Sequence, residues 1–515
     1  MAESGSAGGS GLNGNRKWLL AFCLAVKIAL YGLGAVNYGF LSDELYFLDA
    51  GAHPALGYVD FPPLIAWLAA GVQFLSGGSL WALRLVPAIA GFGVTWFAVE
   101  ICRAAGGRRL AQWVTAIIVL LAPGFVSIHA IFTMNVFDQL WWVMSIWLLL
   151  RYLDGDGSGY MLATGAVLGV GIMTKLSILA LCAALPLGLL IWYPGLYRRG
   201  EFWAAVFLAV LIALPFAVWQ VANGFPFLDF VAAYGGEPPQ AMVLQDPAIG
   251  LFITMNPIFA LVWVPGAVAA LLSPQRRIRL LGTVAWICVA LFVLAGVKFY
   301  FAVPVFVVFI VAGAMLWEKL LASRPALRVL LVAVLLSGVI SVPTAAPVLP
   351  IRRVQALADF IRDGQQGFIG GEHAQIGLFF PHFAEMHGWT ELVDLVTRVF
   401  DGFTPEERAA TALFAAYYGQ AGALNQLDTE DRLPPAHSGH MSYDLWNAGL
   451  DLQRVLFVGF ERGDIEDMYT RVDELAELNC RYCMPREDGL RLLLAEGLRV
   501  SGDEVRERLR RYYFF

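Results

Sequence analysis

Eleven stretches of this chain read as membrane-spanning helices, and that constrains its fold more than any other feature. A spanning helix needs roughly 17–25 predominantly apolar residues. The sequence offers such stretches at 18–40, 81–101, 109–123, 126–152, 160–174, 176–193, 202–222, 249–272, 279–297, 299–318 and 326–346, of which the third and fifth are short. Of the 515 residues 58% are hydrophobic and 15% charged, where a soluble chain carries about 25% charge. Disorder, a coiled coil and an ordinary cytosolic enzyme are thereby excluded as descriptions of the whole.

The number of crossings can be tested against charge, because Lys and Arg in short loops mark the cytoplasmic side. With the N-terminus inside, even-numbered helices should end beside basic residues. They do, at Arg103, Arg108 and Arg109, at Arg151, at Arg198 and Arg199, at Arg276, Arg277 and Arg279, and at Lys319, Arg324 and Arg328. Eleven crossings then predict a cytoplasmic N-terminus and an extracytoplasmic C-terminus. The Gly/Ser-rich start predicts a disordered cytoplasmic segment over 1–17. A transmembrane domain follows over 18–346, with a long first outer loop at 41–80. Within that loop, Leu64 to Leu75 is too short to span and reads as interfacial. A second outer loop covers 223–248.

Charge divides the chain as well. Residues 1–346 hold 18 Lys and Arg against 14 Asp and Glu, whereas residues 347–515 hold 17 against 27. The latter predict a soluble, acidic extracytoplasmic α/β domain. Its short apolar runs, ALFAAYYG, VLFVGF and LRLLLAEGL, alternate with segments read as helical, including GDIEDMYTRVDELAEL. Cys480 and Cys483 form one C-x-x-C, open to a local disulfide or to two free thiols; a zinc ribbon needs a second pair.

Ionisable groups near a membrane are costly and tend to mark function. Ser42-Asp43-Glu44-Leu45-Tyr46 follows the first helix. It reads either as a helix start, with Ser42 capping and two acids in the first turn, or as a carboxylate that takes a proton from an incoming hydroxyl. The loop continues through His53, Tyr58 and Asp60 to a Pro62-Pro63 pair that enforces extended backbone. The fourth expected helix starts near His129, and its Asn135 and Asp138, three apart, share a face. An intramembrane acid is expected to face a polar cavity. Lys175 and Lys298 sit at outer helix ends. They either snorkel to the surface or hold a phosphate beside the carboxylates. All seven histidines fall outside: His53, His129, His373, His382, His387, His437 and His440. His437-Ser-Gly-His440 lacks a clear third metal ligand. There is no Walker A, no dinucleotide fingerprint and no basic stripe for nucleic acid.

Asp43-Glu44-x-Tyr46 with Gly57-Tyr58-x-Asp60-x-Pro62-Pro63-Leu64 resembles the first outer loop of C-type glycosyltransferases that use polyprenyl-phosphate sugars. The best match is glycosyltransferase family 39, which includes protein mannosyltransferase-like and aminoarabinose transferase-like enzymes. Met134 to Trp142 is similar to that family's fourth-helix signature. Thr174-Lys175 and Lys298-x-Tyr300-x-x-x-Pro304 also fit, and Tyr418 to Leu424 with Ser438-Gly439-His440 looks like the outer domain of bacterial members.

The resemblance implies a C-type fold in the cell (inner) membrane. It implies a hexosyl or pentosyl transferase that moves a sugar, with inversion, from a polyprenyl-phosphate-linked donor. The acceptor would be a lipid, glycan or protein hydroxyl on the outer face. It assigns Asp43 as general base with Glu44 as partner, and Asp138 to organising the acceptor or a divalent cation. Lys175 and Lys298 would neutralise the leaving phosphate and Tyr300 would line its groove. His53, Tyr58, Asp60 and Asn135 would support the loop and the fourth helix. Should a divalent cation bind, Glu44, His53 and Asp138 are its candidate ligands. A transporter or flippase of lipid-linked sugars is the alternative, for which inverted repeats or broken midplane helices would speak.

Overall fold

A computed structural model describes residues 7–235, 247–364, 381–447 and 449–512. The centre of the second outer loop and His373 lie outside the described residues. The chain divides into two compact units, one of Met1–Gly34, Arg84–Val218 and Pro239–Val348, the other of Ala35–Leu83, Trp219–Pro238 and Leu349–Phe515.

The first unit is helical. Helices lie over most of all eleven expected stretches. Among the described residues only six are long and apolar enough to cross a membrane: Arg16–Asn37, Leu80–Ala104, Gly200–Ala222, Arg276–Ala295, Tyr300–Ser323 and Leu327–Ala345. A seventh crossing is available if the pair Arg109–Leu121 and Pro123–Ala130, bent by 62°, is one span. Eleven full-length spans are therefore not what the structure displays. The cause is local. Pro123 opens its helix at the first position, and Ala122 before it is extended at φ −66°, ψ 132°, as a residue preceding proline prefers. The expected fourth helix accordingly begins at Met134, not near His129, which lies in a 3-10 turn. Other stretches, such as Gly159–Ile172 and Pro257–Leu272, remain short apolar helices. At the other end of the chain, the first helix already starts at Ala7, inside the stretch expected to be disordered.

Packing in this unit follows membrane rules, in which small residues let helix backbones approach. A Cβ on Gly266 would lie 2.0 Å from the Phe309 carbonyl oxygen, and one on Gly313 would lie 2.1 Å from that of Val262. Helices Ala260–Leu272 and Phe306–Ser323 thus touch backbone to backbone through a reciprocal glycine pair. Lys27, inside the first helix, is also accounted for. Its Nζ donates to His129 Nδ1 at 2.5 Å, and His129 Nε2 donates in turn to Gln139 Oε1 at 3.0 Å.

The second unit holds a five-stranded sheet of order β2-β1-β3-β5-β4. Its strands are β1 (Ala412–Ala415), β2 (Ala436–Ser438), β3 (Arg454–Val458), β4 (Tyr469–Glu477) and β5 (Arg491–Leu498). β1 runs parallel to β2 and β3, while β5 is antiparallel to β3 and β4. The α/β expectation holds, with one change: Tyr469–Glu477, read as helical, is the edge strand β4. Its acidic composition favours a helix weakly, but pairing with β5 and burial of Tyr469 and Val472 outweigh propensity. Charged side chains on that edge discourage pairing with another chain. Cys480 and Cys483 are joined as a disulfide.

The first outer loop belongs to this second unit. Helix Ser42–Ala52 packs on Tyr418–Leu427, the crossover helix between β1 and β2, and on Leu64–Ser76. A Cβ on Gly422 would come within 2.9 Å of Leu45 Cβ, so the glycine permits the close approach.

Candidate functional site

In the second unit each expected loop residue has its own partners. Asp43, in the first turn of Ser42–Ala52, accepts a hydrogen bond at Oδ1 from the Tyr418 hydroxyl at 2.6 Å. Next to it, Glu44 is fully buried and its Oε2 accepts from the Leu41 amide at 2.8 Å. Glu44 is thus engaged with the start of its own helix, satisfying a backbone donor the helix leaves open. The cap position is Leu41 and not Ser42, whose hydroxyl donates to Glu385 Oε2 at 3.3 Å. Asp60 Oδ1 accepts from the Tyr46 hydroxyl at 2.8 Å, and Tyr46 in turn accepts from the Ser442 amide at 3.0 Å. Tyr58 donates to the Ala50 carbonyl at 2.8 Å and so ties the loop back on its helix. His53 is exposed and stacks on Trp446 with centroids 4.3 Å apart.

The sequence gives no role to several of these partners. Tyr418, known from it only as the start of the Tyr418–Leu424 motif, is one. Glu385 and Arg486 are others: Arg486 Nη2 lies 3.4 Å from Glu385 Oε1, and its guanidinium sits 4.5 Å from the Tyr417 ring centroid. Asp49 accepts from Asn425 at 2.7 Å, Gln426 at 2.5 Å and Tyr443 at 2.5 Å.

Burial pushes the Asp60 and Glu385 carboxyls up to about 7, with the negative charge of Asp43 adding to the rise in both. The ordinary values are 3.8 and 4.5, so the folded chain holds two protons that the unfolded chain has released between about pH 4 and 7. Stability contributed by these groups is therefore present at low pH and is lost as pH rises through that window. The melting temperature of the purified protein is expected to be higher at pH 5 than at pH 8. Asp60→Asn with Glu385→Gln should flatten the difference; an undiminished slope in the double variant would exclude these carboxyls as its source.

In the first unit, helix Met134–Leu153 pins the turn that carries Lys175. Asp138 accepts from Ser177 at Oδ2, 2.8 Å, and from Trp142 at Oδ1, 3.2 Å. Lys175 Nζ donates to Asn135 Oδ1 at 2.5 Å. The ammonium also lies over the Phe301 ring at 3.6 Å and the Tyr300 ring at 5.1 Å, as a desolvated cation favours. Lys298 is exposed and near enough to act on Lys175 electrostatically. A lysine fixed by an amide and two rings, with a second positive charge close by, suits a phosphate ester.

Among the described residues no group of three or more His, Cys, Asp or Glu side chains is arranged to hold a metal ion. The donor set around Glu44 and His53 does not fit a divalent cation. Glu44 is held at a helix start and the His53 ring lies flat against Trp446. His437 Nδ1 faces Asn447 Oδ1 at 3.2 Å, and His440 Nδ1 accepts from the Tyr418 amide at 3.3 Å.

The fold can be compared with solved structures. ArnT from Cupriavidus metallidurans, solved bound to undecaprenyl phosphate, is similar with a TM-score of 0.59 at 17% identity, over 93% of this chain and 98% of that one. The chain is a multi-pass membrane protein with the C-type glycosyltransferase fold. Residues 60–219 of this C-type protein match the family described as dolichyl-phosphate-mannose-protein mannosyltransferase. The Archaeoglobus fulgidus oligosaccharyltransferase, solved with zinc and sulfate, gives a TM-score of 0.45 at 13% identity, over 91% of this chain and 74% of that one. Arabinosyltransferase EmbB from Mycobacterium smegmatis gives 0.42 at 16% identity, over 58% and 30%. Among curated proteins none matches this C-type chain by sequence at a significant level.

Proposed function

We propose that the protein is a glycosyltransferase that moves a sugar from a polyprenyl-phosphate-linked donor to an acceptor hydroxyl on the outer face of the cell membrane, with inversion. The N-terminus is cytoplasmic and residues 347–515 are extracytoplasmic in this reading. It is supported above all by Asp43, whose carboxylate is held by a tyrosine at the start of a buried helix in a fold like that of ArnT. In one displacement the acceptor oxygen bonds to the anomeric carbon as the bond from that carbon to the phosphate oxygen breaks. The acceptor proton passes to Asp43, and the electron pair leaves on the polyprenyl phosphate.

Asp43 supplies the base, and Asp60 braces the loop through Tyr46. Lys175 and Lys298 meet charge that grows on the departing phosphate, where fixed cations in a dry site are most effective. Asp138 and Asn135 keep the Lys175 turn in place, and Tyr300 flanks the ammonium. No step requires a metal. The assay uses several donor sugars and acceptors.

The test is transfer by the purified full chain from polyprenyl-phosphate sugars to envelope acceptors, followed by mass spectrometry. Transfer is expected in wild type, and Lys175→Met is expected to lower kcat by about 10²–10³, the typical effect of removing one charge-stabilising group. Wild-type protein that flips such donors across vesicles without transferring sugar would favour a transporter.

A further inference from the structure

We propose that Tyr418, supplied by the C-terminal residues, is the positioning residue for Asp43 and makes the soluble domain part of the catalytic apparatus. The inference rests on the reading of Asp43 as the base. Three observations carry it. The first is the 2.6 Å hydrogen bond from the phenol to Asp43 Oδ1, between residues 375 apart in sequence.

The second is how firmly that phenol is held. Its ring stacks on Tyr46 at 4.7 Å and on His440 at 5.0 Å with only 4° between planes, and the Tyr418 amide donates to His440 Nδ1 at 3.3 Å. The ring of Tyr417 lies 4.3 Å away and is itself covered by Arg486. Tyr418 is only 3% exposed. A side chain locked by packing on several sides fixes its partner's geometry, which a freely rotating group does not.

The third is electrostatic. Asp43 acts repulsively on two further carboxyls, Asp60 and Glu385. A base must be ionised to accept a proton, and a donor on one carboxylate oxygen favours that form. The phenol remains a donor throughout, because burial and the charge of Asp43 push its own ionisation well above the ordinary range.

The test compares four full-length variants for kcat, donor KM and melting temperature. Tyr418→Phe keeps the ring and removes the donor; kcat is expected to fall by about 10–100-fold, as for loss of a supporting partner, with donor KM unchanged. Tyr443→Phe removes a comparable bond to Asp49 and should lower the melting temperature while leaving kcat within about two-fold. Placing p-aminophenylalanine at 418 restores a donor at the same position and should recover most of kcat, which keeps the test usable if Tyr418→Phe misfolds. Asp43→Asn separates the two readings. If it is inactive while Tyr418→Phe keeps wild-type kcat, or loses only stability as Tyr443→Phe does, the positioning role is overturned and the base stands. If Asp43→Asn is fully active, the base assignment is what fails.

Discussion

Asparagine in place of Asp43 is expected to lower kcat for sugar transfer by about 10²–10⁴, the range general-base catalysis contributes, with donor KM close to wild type. The substitution is nearly isosteric, and its Oδ1 can still accept from Tyr418, so the 2.6 Å contact and the local packing survive. What disappears is the capacity to take a proton. A sugar hydroxyl is a weak nucleophile at neutral pH, and without a base the displacement must proceed through a poorly activated oxygen. Donor binding should persist because Lys175 and Lys298, assigned to the phosphate, are untouched. Glu44→Gln supplies the contrast. Glu44 Oε2 accepts from the Leu41 amide, a bond that a glutamine oxygen can also accept, so the substitution should cost less than about 2 kcal/mol of stability and leave kcat within a few-fold. If the two substitutions behave alike in single-turnover assays, or if Glu44→Gln is the inactive one, the base has been assigned to the wrong neighbour.

That contrast also marks what the sequence could and could not convey. Apolar stretches locate helices well because lipid imposes one requirement on every residue of a span. They locate breaks poorly, since Pro123 bends its pair by 62° within a run that stays apolar. The acid-rich segment at 469–477 misled for a different reason. Propensity is local, whereas pairing with β5 is not. Among the candidate residues, Asp43 and Lys175 stand out in the sequence as charges where charge is costly. Their supports do not: Ser177 and Phe301 look like ordinary residues of apolar segments, and Tyr418 lies 375 residues from the carboxylate it holds. A signal did exist. Tyr417 and Tyr418 lie within three residues of the end of β1, whose parallel neighbours β2 and β3 lie on its two sides. The carboxyl end of such a strand is where α/β sheets tend to place ligand-contacting residues. Recognising it would have required the strand order, which no run of residues states.

Leucine at position 49 is expected to destabilise the second unit by about 3–5 kcal/mol, the range for removing one partner from a buried charged network. Asp49 is 2% exposed and joins helix Ser42–Ala52 to Asn425 and Gln426 on the crossover helix and to Tyr443. Leucine fills a similar volume but removes the acceptor from the buried Tyr443 hydroxyl and from the part-buried amides of Asn425 and Gln426, a buried donor costing about 1–3 kcal/mol if it finds no substitute. For a domain of this size the loss corresponds to a fall in melting temperature of roughly 10 °C. Thermal unfolding in detergent, or the rate at which a protease clips residues 349–515, would register it; a shift under about 2 °C would mean that water replaces the carboxylate. Asp49→Asn should lie between, since one acceptor oxygen remains. The crossover helix begins at Tyr418, so any displacement of that helix also moves the phenol that Asp43 depends on. Asp49→Leu should therefore lose activity in step with folded protein, whereas Tyr418→Phe should lose activity while the protein stays folded. That difference separates a residue that holds the domain together from one that aims the base.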